Sequence, residues 1–102
     1  MSSAAEVRLY KASQDLDNPN TDCKSLKSGQ LLMLNHHVGQ VVDEHGHAET
    51  HIIFVRQGKI TFKVHDKSFE MAVGDTLVVP PNTPHSFTVI GNEACRTACL
   101  SI

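Results

Sequence analysis

Four histidines in two short segments are the residues of this sequence best placed to do chemistry. His45, His47 and His51 fall within seven positions, and all three are odd-numbered. On an extended chain successive side chains alternate between two faces, so we expect these three to point the same way. Three converging imidazoles predict a metal site. His85, from a separate segment, is the candidate that completes it.

The segments around these histidines have the patterns of β-strands. Residues 59–65 alternate between apolar and polar side chains, with Ile60, Phe62 and Val64 on one face. This alternation predicts a half-buried antiparallel strand. An apolar run at residues 30–34, a β-branched run at residues 75–79 and the segments 86–90 and 95–102 are further candidate strands. Because strands recur about every ten residues with turn residues between them, the sequence predicts an all-β sandwich or barrel.

The length of the chain predicts one domain. A chain of 102 residues lies in the usual domain range of about 100–150 residues. We expect residues 1–28 to form an N-terminal arm, with a short strand at residues 7–10 and a polar loop at residues 13–25. Residues 29–102 are expected to form the barrel. A domain of this size buries only about two-thirds of its unfolded surface, so association with a second copy is expected.

Composition excludes several classes of partner. A net charge of −2 and an aromatic content of 5% argue against nucleic-acid binding, which needs a basic face or stacking platforms. No apolar run approaches the roughly 20 residues of a membrane span. The first residues also lack the apolar core of a signal peptide. We therefore expect a cytoplasmic protein whose partner is a small molecule.

The three cysteines do not have the spacing of a disulfide framework. Cys23, Cys95 and Cys99 are an odd number without a CxxC pair, which favours reduced thiols. Cys95 and Cys99 share a strand face with Thr97 and Ser101. That face either lines a cavity or packs in the sheet as small residues, and we favour the packing role.

Two segments resemble the two motifs of the cupin family. The first has the order Gly39, five residues, His45-Gly46-His47, three residues, His51, six residues and Gly58. The second has the order Gly74, five residues, Pro80, Asn82, two residues and His85. The motifs occur in the family's order, separated by the 15 residues 59–73. The resemblance covers roughly residues 30–102.

The resemblance implies a jelly-roll β-barrel, or double-stranded β-helix, with a divalent transition metal (Fe, Ni, Zn, Cu or Mn) inside its mouth. Carried over by position, the ligands are His45, His47, His51 and His85. Position 51 is usually glutamate in the family, so the site would be all-imidazole. Glu49 is the alternative fourth ligand.

Other positions are assigned from the strand pattern. Asn82 replaces a glycine of the second motif, and Asn tolerates the left-handed backbone that a turn needs there. Of His36 and His37 at most one can face the interior, and we interpret both as polar residues at a strand end. Arg56 is interpreted as a solvated strand-end charge. The candidate cavity-lining residues are Met33, Ile53, Phe62 and Phe87.

The function implied by the resemblance is a metal-dependent oxidoreductase of the dioxygenase type, acting on a small anionic or enolisable substrate. The alternatives are a sugar-like ligand sensor without catalysis and a metal-dependent sugar isomerase or ring-opening enzyme. No catalytic general base is identified by the sequence. Small single-domain cupins resemble dimers more often than monomers, so a homodimer is expected.

Overall fold

Nine β-strands form in the part of the chain that the structure, a computed structural model, describes. That part comprises residues 22–26 and 29–102, with side chains described for residues 29–102. The strands are β1 (Asp22–Leu26), β2 (Gly29–His36), β3 (Val41–His45), β4 (His51–Gln57), β5 (Lys59–Val64), β6 (Lys67–Met71), β7 (Thr76–Val79), β8 (His85–Ile90) and β9 (Cys95–Ser101).

The strands form two antiparallel sheets that face each other. The larger sheet has the order β1-β2-β9-β4-β7, and the smaller has the order β3-β8-β5-β6. Apolar side chains from both sheets form the buried core, among them Ile53, Val55, Ile60, Phe62 and Val89. The prediction of an all-β jelly-roll fold is therefore confirmed. The described residues include no helix with the length and apolarity needed to cross a membrane.

One segment differs from the loop predicted for residues 13–25. Residues Asp22–Leu26 form β1, which pairs with β2 so that Cys23 lies opposite Leu32. Main-chain pairing depends on the unpaired N–H and C=O groups at the edge of β2 and does not require an alternating sequence. The strand predicted at residues 7–10 lies outside the described residues.

Positive backbone φ angles mark the turns that carry the motif glycines. Gly39 and Gly58 have φ angles of 74° and 78°. A Cβ at Gly58 would lie 2.5 Å from the backbone oxygen of Ala94, whereas a Cβ at Gly39 would meet nothing within 4 Å. Glycine is therefore needed at position 58 for two reasons, the left-handed backbone and the close packing of two chain segments. At position 39 it is needed only for the left-handed backbone.

We expect Gly58→Ala to destabilise the fold more than Gly39→Ala. Both changes place a Cβ on a left-handed residue, which costs about 1–2 kcal/mol. Only Gly58→Ala also forces backbone apart, since the new Cβ would contact Ala94. The free energies of unfolding from urea denaturation measure the difference. Equal losses for the two variants would contradict the steric role of Gly58.

Candidate metal centre

His45 and His85 meet at one end of the barrel because two strands pair in a specific register. His45 is the last residue of β3 and lies directly opposite His85, the first residue of β8. The register shifts between Val42 and His45, so β3 carries one extra residue there. Such a bulge changes which side chain faces inward. Without it, Glu44 rather than His45 would oppose His85.

The expectation that three histidines share one face of one extended segment is wrong. His45 belongs to the smaller sheet, His51 begins β4 of the larger sheet, and His47 lies in the connection between them. They converge because the chain crosses from one sheet to the other at the barrel mouth. A hydrogen bond of 2.6 Å from the N–H of Asn82 to the carbonyl of His47 ties this crossing to the loop before β8.

His45, His47 and His85 form the group that fits a metal ion. One nitrogen from each lies within 4.8 Å of the others. The ring planes of His45 and His85 meet at 61°, and those of His45 and His47 at 78°. Because the rings are not parallel, their in-plane lone pairs can meet at one point. Bonds of about 2.0–2.1 Å to an ion would bring the three nitrogens to about 3 Å apart, which small side-chain rotations achieve.

Backbone carbonyls fix the tautomers of two of these rings. The Nδ1 atom of His45 lies 2.9 Å from the carbonyl oxygen of Asp43, and Nδ1 of His85 lies 2.9 Å from that of Thr83. A carbonyl oxygen only accepts hydrogen bonds, so each Nδ1 carries the proton. The Nε2 lone pair of each ring is therefore available to a metal. Hydrogen bonds of this kind orient histidine ligands in metal sites.

The environment lowers the pKa of three imidazoles at the site, His47, His51 and His85, and so favours the neutral form that metal binding requires. Burial, with His45 and His85 nearby, lowers the pKa of His47, although Glu49 raises it. Burial also lowers the pKa of His85, against the effect of its hydrogen bond to Thr83. Burial, followed by His47, lowers the pKa of His51 to about 4. At neutral pH these rings carry free lone pairs instead of competing protons.

His51 lies at the site in a different arrangement. Its ring stacks on that of His47, with centroids 4.0 Å apart and planes only 8° from parallel. An imidazole lone pair lies in the ring plane, so two stacked rings cannot bind one ion together until one of them rotates. Glu49 is exposed. The choice between His51 and Glu49 as fourth ligand stays a prediction.

A cavity of about 140 Å³ lies behind the histidines, between the two sheets. Of the predicted lining residues, Ile53, Phe62 and Phe87 are confirmed and Met33 is wrong, since its neighbours Leu32 and Leu34 line the cavity instead. An uninterrupted apolar run does not show which parity faces inward. The polar lining residues beyond the histidine cluster are His36, Thr97 and Cys99.

Two other interpretations of polar residues need correction. His36 lies at the end of β2, as interpreted, but it is only 4% exposed and lines the cavity, so it is the member of the His36–His37 pair that faces the interior. Its parity with Leu32 and Leu34 indicates this only once the inward face of β2 is known. Arg56 is half-buried rather than solvated, and its positive charge lowers the pKa of Cys95 against the larger, raising effect of burial.

One of the two buried cysteines lines the cavity and the other packs in the sheet. Cys99 lines the cavity, whereas Cys95 is buried and is not among the lining residues. Burial raises the pKa of Cys99 to about 12 and that of Cys95 to about 11. Reactive thiols have lowered pKa values, so neither residue has the environment of a nucleophile.

Comparison with known proteins defines the class of this barrel. Residues 32–102 match the cupin domain family. The chain therefore belongs to the cupin family. An uncharacterized protein of Methanocaldococcus jannaschii is 34% identical over 50 residues, which are 49% of this chain and 40% of the relative. The chain thus spans less than half the length of that curated relative.

Solved structures share the fold at low sequence identity. An uncharacterized double-stranded β-helix protein from Klebsiella pneumoniae has a TM-score of 0.78 at 16% identity, covering 94% of this chain and 90% of that one. A structure of Fe(II)-HppE with an alternative substrate has a TM-score of 0.70 at 22% identity, covering 79% of this chain and 48% of that one. At these identities the likeness establishes the fold alone.

We expect Cys95 and Cys99 to resist alkylation in the folded protein. In a Cys23→Ser background, less than about one in a thousand of these thiols is ionised at about pH 8, given their raised pKa values. Iodoacetamide labelling followed by mass spectrometry should show modification only after unfolding in guanidinium. Rapid labelling of Cys99 in the native protein would contradict this assignment.

Proposed function

We propose that this cupin is a metal-dependent enzyme of the dioxygenase type that acts on a small organic substrate in the barrel. The observation that carries the proposal is the group of His45, His47 and His85, whose nitrogens lie within 4.8 Å of one another at the mouth of the cavity. A bound transition metal would supply Lewis acidity and redox chemistry. Imidazole ligands suit Fe, Ni, Zn and Cu. Mn prefers carboxylate ligands and is the less favoured candidate for this site.

The residues of the chain would bind the substrate and keep it away from water. Imidazoles are neutral ligands, so a divalent ion held by them keeps its full positive charge. The cavity walls behind it are largely apolar, where charge is weakly screened. This combination supports an anionic or enolisable substrate, with its charged group at the histidines and its carbon skeleton against Phe62 and Phe87.

A fourth protein ligand is part of the proposal. His51 stands at the position of the family's carboxylate, and its ring lies near both His47 and His85, with centroid distances of 4.0 and 6.2 Å. Rotation of His51 away from the stack would direct a lone pair towards the site. Because that rotation breaks the contact with His47, we propose that His51 contributes less to metal affinity than the other three histidines.

Metal content of the purified protein tests this centre. We expect about one ion per chain in the wild type. His45→Ala, His47→Ala and His85→Ala should each lower metal affinity by more than about 100-fold, beyond the 10–100-fold loss typical of residues that only orient ligands. His51→Ala should lower it less, and the exposed His37→Ala is the control that leaves it unchanged. Plasma mass spectrometry after dialysis against graded chelator measures each value.

The absence of metal from wild-type protein reconstituted with Fe, Ni, Zn, Cu and Mn would contradict the proposal. Oxygen consumption by metal-loaded protein with diketones, thiols and catechol-like compounds then tests the reaction class. Tight metal and ligand binding without turnover favours the second candidate, a small-molecule sensor. One observation supports that candidate: the described residues that line the cavity include no carboxylate to act as a general base.

We also propose that the outer face of the larger sheet joins two copies of the chain. The strand registers place apolar side chains side by side on this face: Leu31, Met33, Ile52, Phe54, Val78, Ala98 and Leu100. Val78 is 58% exposed and Phe54 is 36% exposed. A contiguous apolar face is characteristic of a protein interface. Polar side chains continue it at one end, where Arg96 donates hydrogen bonds to Asn35 and Gln57.

Light scattering with size-exclusion chromatography should find a dimer. The double variant Phe54→Lys and Val78→Lys should be monomeric, because a dimer of ordinary size buries roughly 800 Å² per partner and would bury these charges. Val73→Lys is the matched control, since Val73 is 64% exposed but lies in the turn between β6 and β7. A monomeric wild type would contradict the proposal.

A further inference from the structure

His36 is a buried imidazole that the proposed metal centre does not use. It is the last residue of β2, is only 4% exposed, and lines the cavity. Its Nδ1 atom is shielded from solvent and has no hydrogen-bond partner among the described residues. A buried polar atom without a partner lowers stability, and an apolar side chain of similar size would avoid that cost. Among the described residues, no hydrogen bond of Nδ1 therefore explains the presence of this ring.

Two phenylalanine rings, Phe87 and Phe62, connect His36 with the histidine cluster. The edge of its ring meets Phe87, with centroids 5.0 Å apart and planes at 65°. Phe87 packs on Phe62 at 5.0 Å, and Phe62 lies 6.2 Å from the ring of His85. Along β8, Phe87 is two residues from His85 on the same face, a separation of about 7 Å. One small molecule lying along the two phenylalanines would reach both His36 and the histidine cluster.

The chemistry of His36 defines what it can recognise. Burial, and to a lesser extent His37, lowers its pKa to about 4, so the ring is neutral at physiological pH. A neutral imidazole offers one donor and one acceptor, and rotation about the Cβ–Cγ bond presents either nitrogen-bearing edge. A hydroxyl group can complement both. An anionic group would find no positive charge on His36 and would be favoured at the metal end instead.

We propose that His36 is the residue that binds the second polar group of a bifunctional ligand, a short-chain carboxylate with a terminal hydroxyl. This inference rests on the proposed function for the other end, where the carboxylate meets the metal. The hydroxyl hydrogen-bonds to His36, and the carbon chain packs on Phe62 and Phe87. The size limit agrees, since an apolar cavity of about 150 Å³ accommodates a molecule as large as benzene, and this cavity measures about 140 Å³.

A matched pair of probes tests the assignment. 4-Hydroxybutanoate and pentanoate have the same number of non-hydrogen atoms and differ in a hydroxyl against a methyl group. Isothermal titration of the zinc-loaded wild type should show about tenfold tighter binding of the hydroxy acid. His36→Leu should abolish that preference without changing zinc content. His36→Asn, which keeps a donor and an acceptor near the position of Nδ1, should retain part of it.

Two measurements separate failure of His36 from failure of the metal centre. The preference between the probes is also measured on metal-free protein, where both should bind more weakly but in the same order. A preference that persists in His36→Leu, or is absent from the wild type in both forms, would overturn the inference. Failure of the wild type to bind any of Fe, Ni, Zn, Cu and Mn would contradict the proposed function alone.

A structural role for His36 predicts a different result. If the ring were needed for folding, His36→Leu would lower the melting temperature or prevent folding, and either result would overturn the inference. We expect this variant to melt about 2–5 °C higher instead, because it removes an unpaired buried polar atom. In the zinc-loaded wild type, the imidazole ¹⁵N signals of His36 should shift with 4-hydroxybutanoate and remain unchanged with pentanoate.

Discussion

The antiparallel pairing of β3 with β8 is the constraint on which the rest of the site depends. It places His45 opposite His85, with ring centroids 4.4 Å apart. A slip of one residue would turn every side chain of a strand to the opposite face. The extra residue between Val42 and His45, at the end of β3, sets this register. Before the bulge the half-buried residue of β3 is Val42, and after the bulge it is His45, which faces His85.

The orientation of the ligands is achieved with main-chain atoms. His45 and His85 each contact the carbonyl two residues earlier in the chain, at Asp43 and Thr83. Because the partner is local, the tautomer is determined by the strand end itself and not by a distant carboxylate. Carboxylates bonded to the rings would add negative charge beside the histidines, and carbonyl groups do not. The local hydrogen bonds of His45 and His85 therefore orient the rings without adding a charge.

Periodicity predicted the strands well where one face is buried and the other is not. β5 and β9 alternate along their whole length, and both were located from sequence. β2 is different, since Leu31, Leu32, Met33 and Leu34 give no parity. The inward face of that strand is set by pairing with β9, where Leu34 lies opposite Thr97. Because this register is long-range, the sequence alone does not show that Met33 faces away from the cavity and that His36 faces into it.

The spacing of the histidines predicted that His45 and His47 lie together, as they do beside His85, but through an incorrect geometric argument. Parity on a single strand cannot describe a segment that contains a bulge, a connection and a change of sheet. The family resemblance succeeded because a motif includes those irregularities implicitly. Neither the spacing nor the resemblance predicts that His51 stacks on His47, because ring orientation depends on contacts across the barrel mouth.

The cavity also affects the stability of so small a barrel. Its walls are largely apolar, and among the described residues the buried Nδ1 of His36 has no hydrogen-bond partner. A buried polar atom without a partner lowers stability, and a domain of this size has a total stability of only about 5–15 kcal/mol. A ligand that covers the apolar walls and pairs with His36 would stabilise the folded state, so its binding and the folding of the chain would be linked.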